Sequence, residues 1–192
     1  FNKLTDEKIK AFPFPYLPKE ENREEFCEDI LEIQALGLLT RMKNINISKV
    51  CLGLSGGLDS TMALLAIVKA FEMADIDKKN IMLYTMPAFG TSDRTKSNAY
   101  KLSRSLGLEI KEIDISKSVT QHLKDIGHDL KTKDVAYENA QARERTQVLF
   151  DLANMHGALV IGTGDLSEIS QGFATYNGDH MSMYELNHGI PK

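Results

Sequence analysis

Five residues, Val50-Cys51-Leu52-Gly53-Leu54, run directly into Ser55-Gly56-Gly57-Leu58-Asp59-Ser60, and a helical pattern from Leu58 to Ala74 begins inside that second motif. A short apolar run bounded by a turn reads as a buried strand, so the chain must pass from strand to helix through a glycine turn. Consecutive glycines let backbone N–H groups turn inward toward an anion, and the helix N-terminus adds its partial positive charge. Ser55 and Ser60 supply hydroxyl donors, so the loop is suited to phosphate. It is not a Walker A loop, because Asp59-Ser60 replaces the Lys-Ser/Thr ending. An aspartate beside phosphates is repelled unless a divalent cation intervenes, which makes Asp59 a candidate Mg²⁺ ligand. The plainer reading is a helix start that uses Asp and Ser only as caps. It would win for Ser-Gly-Gly alone, whereas the six-residue pattern between strand and helix favours phosphate.

The rest of the chain repeats the rhythm. Strands are expected over Asn80 to Pro87, Leu108 to Ile115 and Ala158 to Gly162. Helices are expected over Ser92 to Leu106, Ser116 to Ile126 and Tyr137 to Met155, with Gly107 and Gly157 as stops. This alternation predicts an α/β fold, a Rossmann-like doubly wound parallel sheet covered on both faces, with ligands at the carboxyl ends of the strands. Upstream, Pro13, Pro15 and Pro18 alternate with Phe12, Phe14 and Tyr16, so residues 1–21 read as an extended proline-containing linker. An amphipathic helix follows from Asn22 to Met42, with Phe26, Ile30, Ile33 and Gly37 at helical spacing as its inward face. The folded domain is therefore taken as 22–192.

Composition removes several function classes. The 192 residues suit one domain, and 23 Lys+Arg against 27 Asp+Glu leave a net charge of −4 without the broad basic surface of a nucleic-acid binder. Apolar stretches such as Ala63 to Val68 fall far short of the roughly 20 residues that span a bilayer. Two cysteines do not make a disulfide framework, which points to a reducing, cytoplasmic setting, and Cys27 on the amphipathic helix reads as a buried packing thiol. The eight methionines are scattered and read as core filler. None of the five histidines has metal-ligand spacing.

The SGGxDS form of Ser55 to Ser60 resembles the signature of the PP-loop ATP pyrophosphatases, which cleave ATP between its α and β phosphates. Four further segments narrow the match: Met86-Pro87-Ala88-Phe89-Gly90-Thr91-Ser92, Tyr137 to Arg145, Gly162-Thr163-Gly164-Asp165-Leu166-Ser167-Glu168 and Tyr176 to Tyr184. Together they resemble NAD synthetase, in the form found in the synthetase domain of the glutamine-dependent enzymes. The resemblance implies ATP-dependent amidation of deamido-NAD to NAD through an acyl-adenylate, with ATP and Mg²⁺ as cofactors. It implies no covalent nucleophile.

By the same resemblance, ATP would meet Ser55, Gly56, Gly57, Asp59, Ser60, Met86, Thr91 and Thr163, with Met86 and Thr91 bordering adenine and ribose. Glu168 would join Asp59 on the metal; its spacing alone describes only a solvated acid in the first turn of a helix. Asn139 and Arg143 lie four residues apart on one helix face while Arg145 points elsewhere. The resemblance assigns the first two to deamido-NAD, Arg145 to a place nearer the nucleotides, Asp179 to the substrate or ammonia site, and Lys192 to phosphate. It further implies ammonia drawn from glutamine by an amidase domain that would precede Phe1, a homo-oligomer formed through the synthetase domain, and a synthetase domain that continues past Lys192. Two rivals share the phosphate loop: another PP-loop amidating or thiolating enzyme, and a non-catalytic adenine-nucleotide-binding domain. Asp59 and Glu168 together count against the second, since binding alone needs no metal at the α-phosphate.

Overall fold

A computed structural model describes residues 16–18, 20–89 and 93–192. At its centre lies β1 (Val50–Gly53), whose first three residues are wholly buried, as a strand covered on both faces requires. β2 (Ile81–Thr85), β3 (Ile110–Glu112), β4 (Leu159–Gly162) and β5 (Tyr184–Glu185) complete a parallel sheet of order β3-β2-β1-β4-β5. Val50 pairs with Ile81 on one side and Leu159 on the other, so the three central strands are level at their amino ends.

The helices are α1 (Arg23–Asn44), α2 (Leu58–Met73), α3 (Asp93–Ser105), α4 (Ser116–Asp125), α5 (Val135–His156) and α6 (Leu166–Gln171). Because side chains alternate along a strand, Val50, Leu52, Leu83 and Ile161 point to one face and pack with Leu38, Leu64, Ile67 and Phe71 of α1 and α2. Cys51, Tyr84 and Val160 point to the other and meet Leu149 and Ala153 of α5. A smaller cluster of Ile115, Val119, Leu123, Tyr137 and Ala140 joins α4 to α5. The chain leaves β1 toward β2 and β3, then returns to β4 on the opposite side. Connections therefore diverge at the carboxyl ends of β1 and β4, opening a crevice at that switch point.

The expected strands and long helices appear with ends shifted by a few residues, and the third strand is the shorter Ile110–Glu112. β5 has no counterpart in the sequence reading, since two residues are too short for periodicity to reveal, whereas α6 is the helix in whose first turn the sequence placed Glu168. Of the linker read over 1–21, Pro13 and Pro15 lie outside the described residues, and Glu20–Asn22 forms a 3-10 turn leading into α1.

The inward face of α1 differs from the expected one. Gln34, Ala35, Leu38 and Met42 are buried, whereas Ile33 is 68% exposed and Phe26 45% exposed. Apolar residues occur on both sides of this helix, and the stripe that meets α2 includes a glutamine and an alanine that a search for large apolar residues passes over. Cys27 is exposed rather than buried for the same reason, since it lies in the first two turns, beyond that contact. Cys51 is the buried thiol, and burial pushes its pKa up to about 12, which makes it unreactive. The methionines divide: Met42 and Met86 are buried, but Met155 is 75% exposed. Among the described residues, no helix is long and apolar enough to cross a membrane.

Leu38→Ala should cost about 2–5 kcal/mol, because the cavity opens against α2. Ile33→Ala should stay within about 0.5 kcal/mol. Urea unfolding midpoints of the two variants check which face of α1 is the packed one.

Candidate functional site

The glycine turn closes β1 onto α2 through local hydrogen bonds. Gly56 takes φ +83°, a left-handed conformation that a side chain would strain. The Gly57 N–H donates to Ser55 Oγ at 3.2 Å, and Ser55 Oγ and Ser60 Oγ lie 3.0 Å apart. Thr61 Oγ1 donates to the Gly57 carbonyl at 2.7 Å. Gly57 is the N-cap of α2 and offers no side-chain cap, so first-turn N–H groups are left for an external acceptor.

Beside this turn, Asp59, Asp165 and Glu168 each offer a carboxylate oxygen within 4.8 Å of the others. Asp59 comes from the first turn of α2, the other two from the start of α6. The local reason is a capping box: Asp165 Oδ1 accepts from the Glu168 N–H at 2.8 Å, and the Asp165 N–H donates to Glu168 Oε2 at 3.3 Å. Lys192 Nζ sits among all three acids, 3.0 Å from Asp59, 3.3 Å from Glu168 and 3.5 Å from Asp165. Its hydrogen bond to Asp59, then that to Glu168, raise its pKa above the ordinary lysine range, so it remains an ammonium. Its backbone N–H donates to Ser167 Oγ at 2.9 Å. Lys192, expected at phosphate, is thus held on carboxylates.

The donor set fits a hard divalent cation. Three carboxylates converge, and Oδ2 of Asp165 is buried without a hydrogen bond, facing the Lys192 ammonium at 3.5 Å. Asp165 was not among the residues singled out from sequence, yet Asp165-Leu166-Ser167-Glu168 has the spacing of a capping box and could have been found by it.

A cavity of about 600 Å³ opens from the turn across the carboxyl ends of β1, β2 and β4. Ser55, Gly57, Ser60, Met86, Arg145, Thr163 and Asp179 all line it, so most of the expected nucleotide residues share one space. Thr91 lies outside the described residues. Arg145 Nε donates to the Met86 carbonyl at 3.2 Å. Burial pushes the Arg145 guanidinium below its ordinary value, opposed by the charges of Glu138 and Asp179. Glu138 and Gln141 line the same cavity and were not anticipated.

Asn139 and Arg143 do not line this cavity, in keeping with their placement on a different helix face from Arg145. Asn139 Oδ1 accepts from Thr175 Oγ1 at 2.9 Å, and Arg143 Nε donates to the Tyr176 carbonyl at 3.1 Å. Arg143 lines a second cavity of about 330 Å³ with His122, Phe150 and Asn177. Asp179 Oδ1 accepts from the Thr175 N–H at 2.6 Å, which ties the same loop together.

One further acid was missed by sequence. The Glu185 carboxylate lies over Gly162, where any Cβ would run into it, and accepts from Ser182 Oγ at 2.8 Å. Burial raises its pKa; Ser182 and the charge of His188 oppose that shift.

Matches to known proteins bear on this arrangement. The family model described as NAD synthase matches residues 30–186. The chain belongs to the NAD synthase family. It is 45% identical over 185 residues to the glutamine-dependent NAD(+) synthetase of Mycobacterium leprae (strain TN), covering 93% of this chain and 27% of that protein. The structure of glutamine-dependent NAD+ synthetase from Acinetobacter baumannii in complex with ADP superposes with a TM-score of 0.79 at 28% identity, over 86% of this chain and 31% of that one. The ammonia-dependent NAD synthetase from Campylobacter jejuni, in complex with the nitrate ion, gives 0.76 at 28% identity, over 86% and 68%. The chain therefore spans about a quarter of the length of the M. leprae relative.

Glu185 generates a pH prediction. Its folded pKa lies above its unfolded value, so stability it confers is full below the unfolded value and declines as pH rises through the folded one. Glu185→Gln should match wild type in stability near pH 4 and exceed it near pH 7.5. Denaturant midpoints at the two pH values test this, and a wild-type advantage at pH 7.5 would contradict it.

Proposed function

We propose that residues 22–192 form the synthetase domain of an enzyme that amidates deamido-NAD to NAD at the expense of ATP. The observation that carries this reading is the convergence of Asp59, Asp165 and Glu168 beside a glycine turn whose helix start is left without a side-chain cap. The A. baumannii neighbour, solved with ADP, supports a nucleotide at such a site. Asp59, Asp165 and Glu168 would hold Mg²⁺. When bound, that ion would neutralise polyphosphate and favour pyrophosphate as a leaving group.

In this reading, a nicotinate carboxylate oxygen attacks the α-phosphorus, the α–β phosphoanhydride bond breaks and pyrophosphate leaves. Ammonia then attacks the acyl carbon, loses a proton and expels AMP. Activation is needed because an oxide is a poor leaving group and AMP is a good one. N–H groups at the start of α2, with Ser55 and Ser60, hold pyrophosphate as its charge grows. Arg145, fixed by the Met86 carbonyl, presents a cation to the cavity without reorganising. Asn139 and Arg143, around the 175–176 loop, are assigned to deamido-NAD, and Asp179 to the side from which nitrogen enters. Lys192, now on the three carboxylates, would turn to phosphate in the loaded site. Ammonia released from glutamine by an amidase domain, a homo-oligomer, and a cytoplasmic setting complete the reading.

The test is an assay of the complete protein with ATP, Mg²⁺, deamido-NAD and ammonium. NAD, AMP and pyrophosphate should form in equal amounts, and Asp59→Asn should lower turnover by about 100-fold or more. ATP cleavage to ADP, or turnover unaffected by Asp59→Asn, would remove this mechanism. Lys192→Met should separate two roles: tighter binding of Mn²⁺ without nucleotide, because a competing cation is gone, and slower turnover with it. Electron paramagnetic resonance of free Mn²⁺ reads the first and the NAD assay the second.

A further inference from the structure

Asn187 is 2% exposed and sits between the two segments that supply the acid cluster. Its Nδ2 donates to the Asp59 carbonyl at 2.9 Å and to the Thr163 carbonyl at 3.2 Å. Asp59 opens α2 after β1, and Thr163 precedes the Asp165–Glu168 capping box after β4. One planar amide thus spans the switch point, with both of its hydrogens committed to opposite sides of the crevice. Its Oδ1 accepts from Gln34 Nε2 at 3.1 Å, and the same Nε2 donates to the Leu186 carbonyl at 2.7 Å.

This chain of bonds has a single sense. Turning the Asn187 amide over would aim its oxygen at two carbonyls and its NH₂ at the NH₂ of Gln34, so each link fixes the next. Gln34 is the buried polar residue of α1, 8% exposed, on a helix that contributes no residue to the 600 Å³ cavity. Its place in the packed face of α1 is explained by this bond.

We propose that Asn187 is a positioning residue that sets the separation of Asp59 from Asp165 and Glu168, and with it the affinity of the site for a hard divalent cation, while Gln34 orients it. The inference rests on the metal–nucleotide reading above. Mg²⁺ demands near-ideal octahedral ligands at about 2.0–2.1 Å, so a small change in the gap between two ligand-bearing segments is felt directly. Groups that orient ligands without touching the metal commonly change metal affinity by about 10–100-fold when removed. Asn187 acts through backbone carbonyls and touches neither metal nor nucleotide in this role.

The experiment titrates Mn²⁺, alone and with ATP, into the complete wild-type protein and its Asn187→Ala and Gln34→Met variants, reading free Mn²⁺ by electron paramagnetic resonance. Thermal unfolding of each is followed in parallel, and the KM for Mg·ATP is separated from kcat in pyrophosphate release. Asn187→Ala should weaken Mn²⁺ about 10–100-fold at temperatures well below its melting point, and Gln34→Met by a smaller factor in the same direction. A lower melting temperature with wild-type Mn²⁺ affinity would make Asn187 purely structural and overturn the proposal. If Asn187→Ala does not fold, Gln34→Met decides: an unchanged Mn²⁺ midpoint overturns it, and a weakened one in a folded protein supports it. Failure of the wild type itself to bind Mn²⁺ with ATP would overturn the metal reading, an outcome distinct from a variant that binds as well as wild type.

Discussion

Three carboxylates within 4.8 Å of one another cannot be left uncompensated, and the arrangement of the site follows from that constraint. Each acid is built into the backbone at a helix start, where partial positive charge offsets part of the repulsion: Asp59 in the first turn of α2, Asp165 and Glu168 at the first turn of α6. The Lys192 ammonium offsets more. A parallel sheet whose order of connection reverses between β1 and β4 is what brings the two helix starts together, since both leave the same edge. Fold and charge are thus coupled: the crevice exists because of topology, and its contents are tolerable because helix ends and a cation surround it.

α5 divides the remaining tasks by its periodicity. Twenty-two residues long, it lays Leu149 and Ala153 on the sheet and carries Glu138, Gln141 and Arg145 to the large cavity. Asn139 and Arg143, on another face, meet the 175–176 loop. One rigid helix therefore holds two sets of polar groups in fixed relation, which in the proposed function would position two reactants better than separate loops.

How much of this could be read from the chain depended on the range of the interaction. β1, the glycine turn and α2 are continuous, so an apolar run, two glycines and a helical repeat sufficed. The face split between Arg143 and Arg145 was equally local. The inward face of α1 was misread because Ile33 and Phe26 are large and apolar but exposed, while Gln34 is polar and buried. No periodicity distinguishes these without knowing what the helix packs against. Asn187 and Gln34 bond across 153 positions, and Asn187 reaches Asp59 across 128, so their role existed only in the folded chain. Asp165 is the intermediate case: its capping box was local and legible, whereas its membership of the acid cluster was not.

An anionic nucleotide binding to a chain of net charge −4 looks unfavourable on composition alone. The resolution is local exchange of partners. Lys192 is already ionised and its pKa is raised by the acids around it, so in the proposed function no proton would have to be taken up for it to turn from carboxylate to phosphate. Arg145 is likewise desolvated in advance, with Glu138 and Asp179 favouring its charge. At Arg145 part of the cost of burying charge is thus met during folding, whereas Lys192 remains half exposed and is held by its carboxylate partners. In the proposed function such a site would discriminate by geometry more than by net charge, because a ligand would gain only if its anionic groups reached Arg145 and Lys192 while its metal satisfied the acids that Lys192 had left.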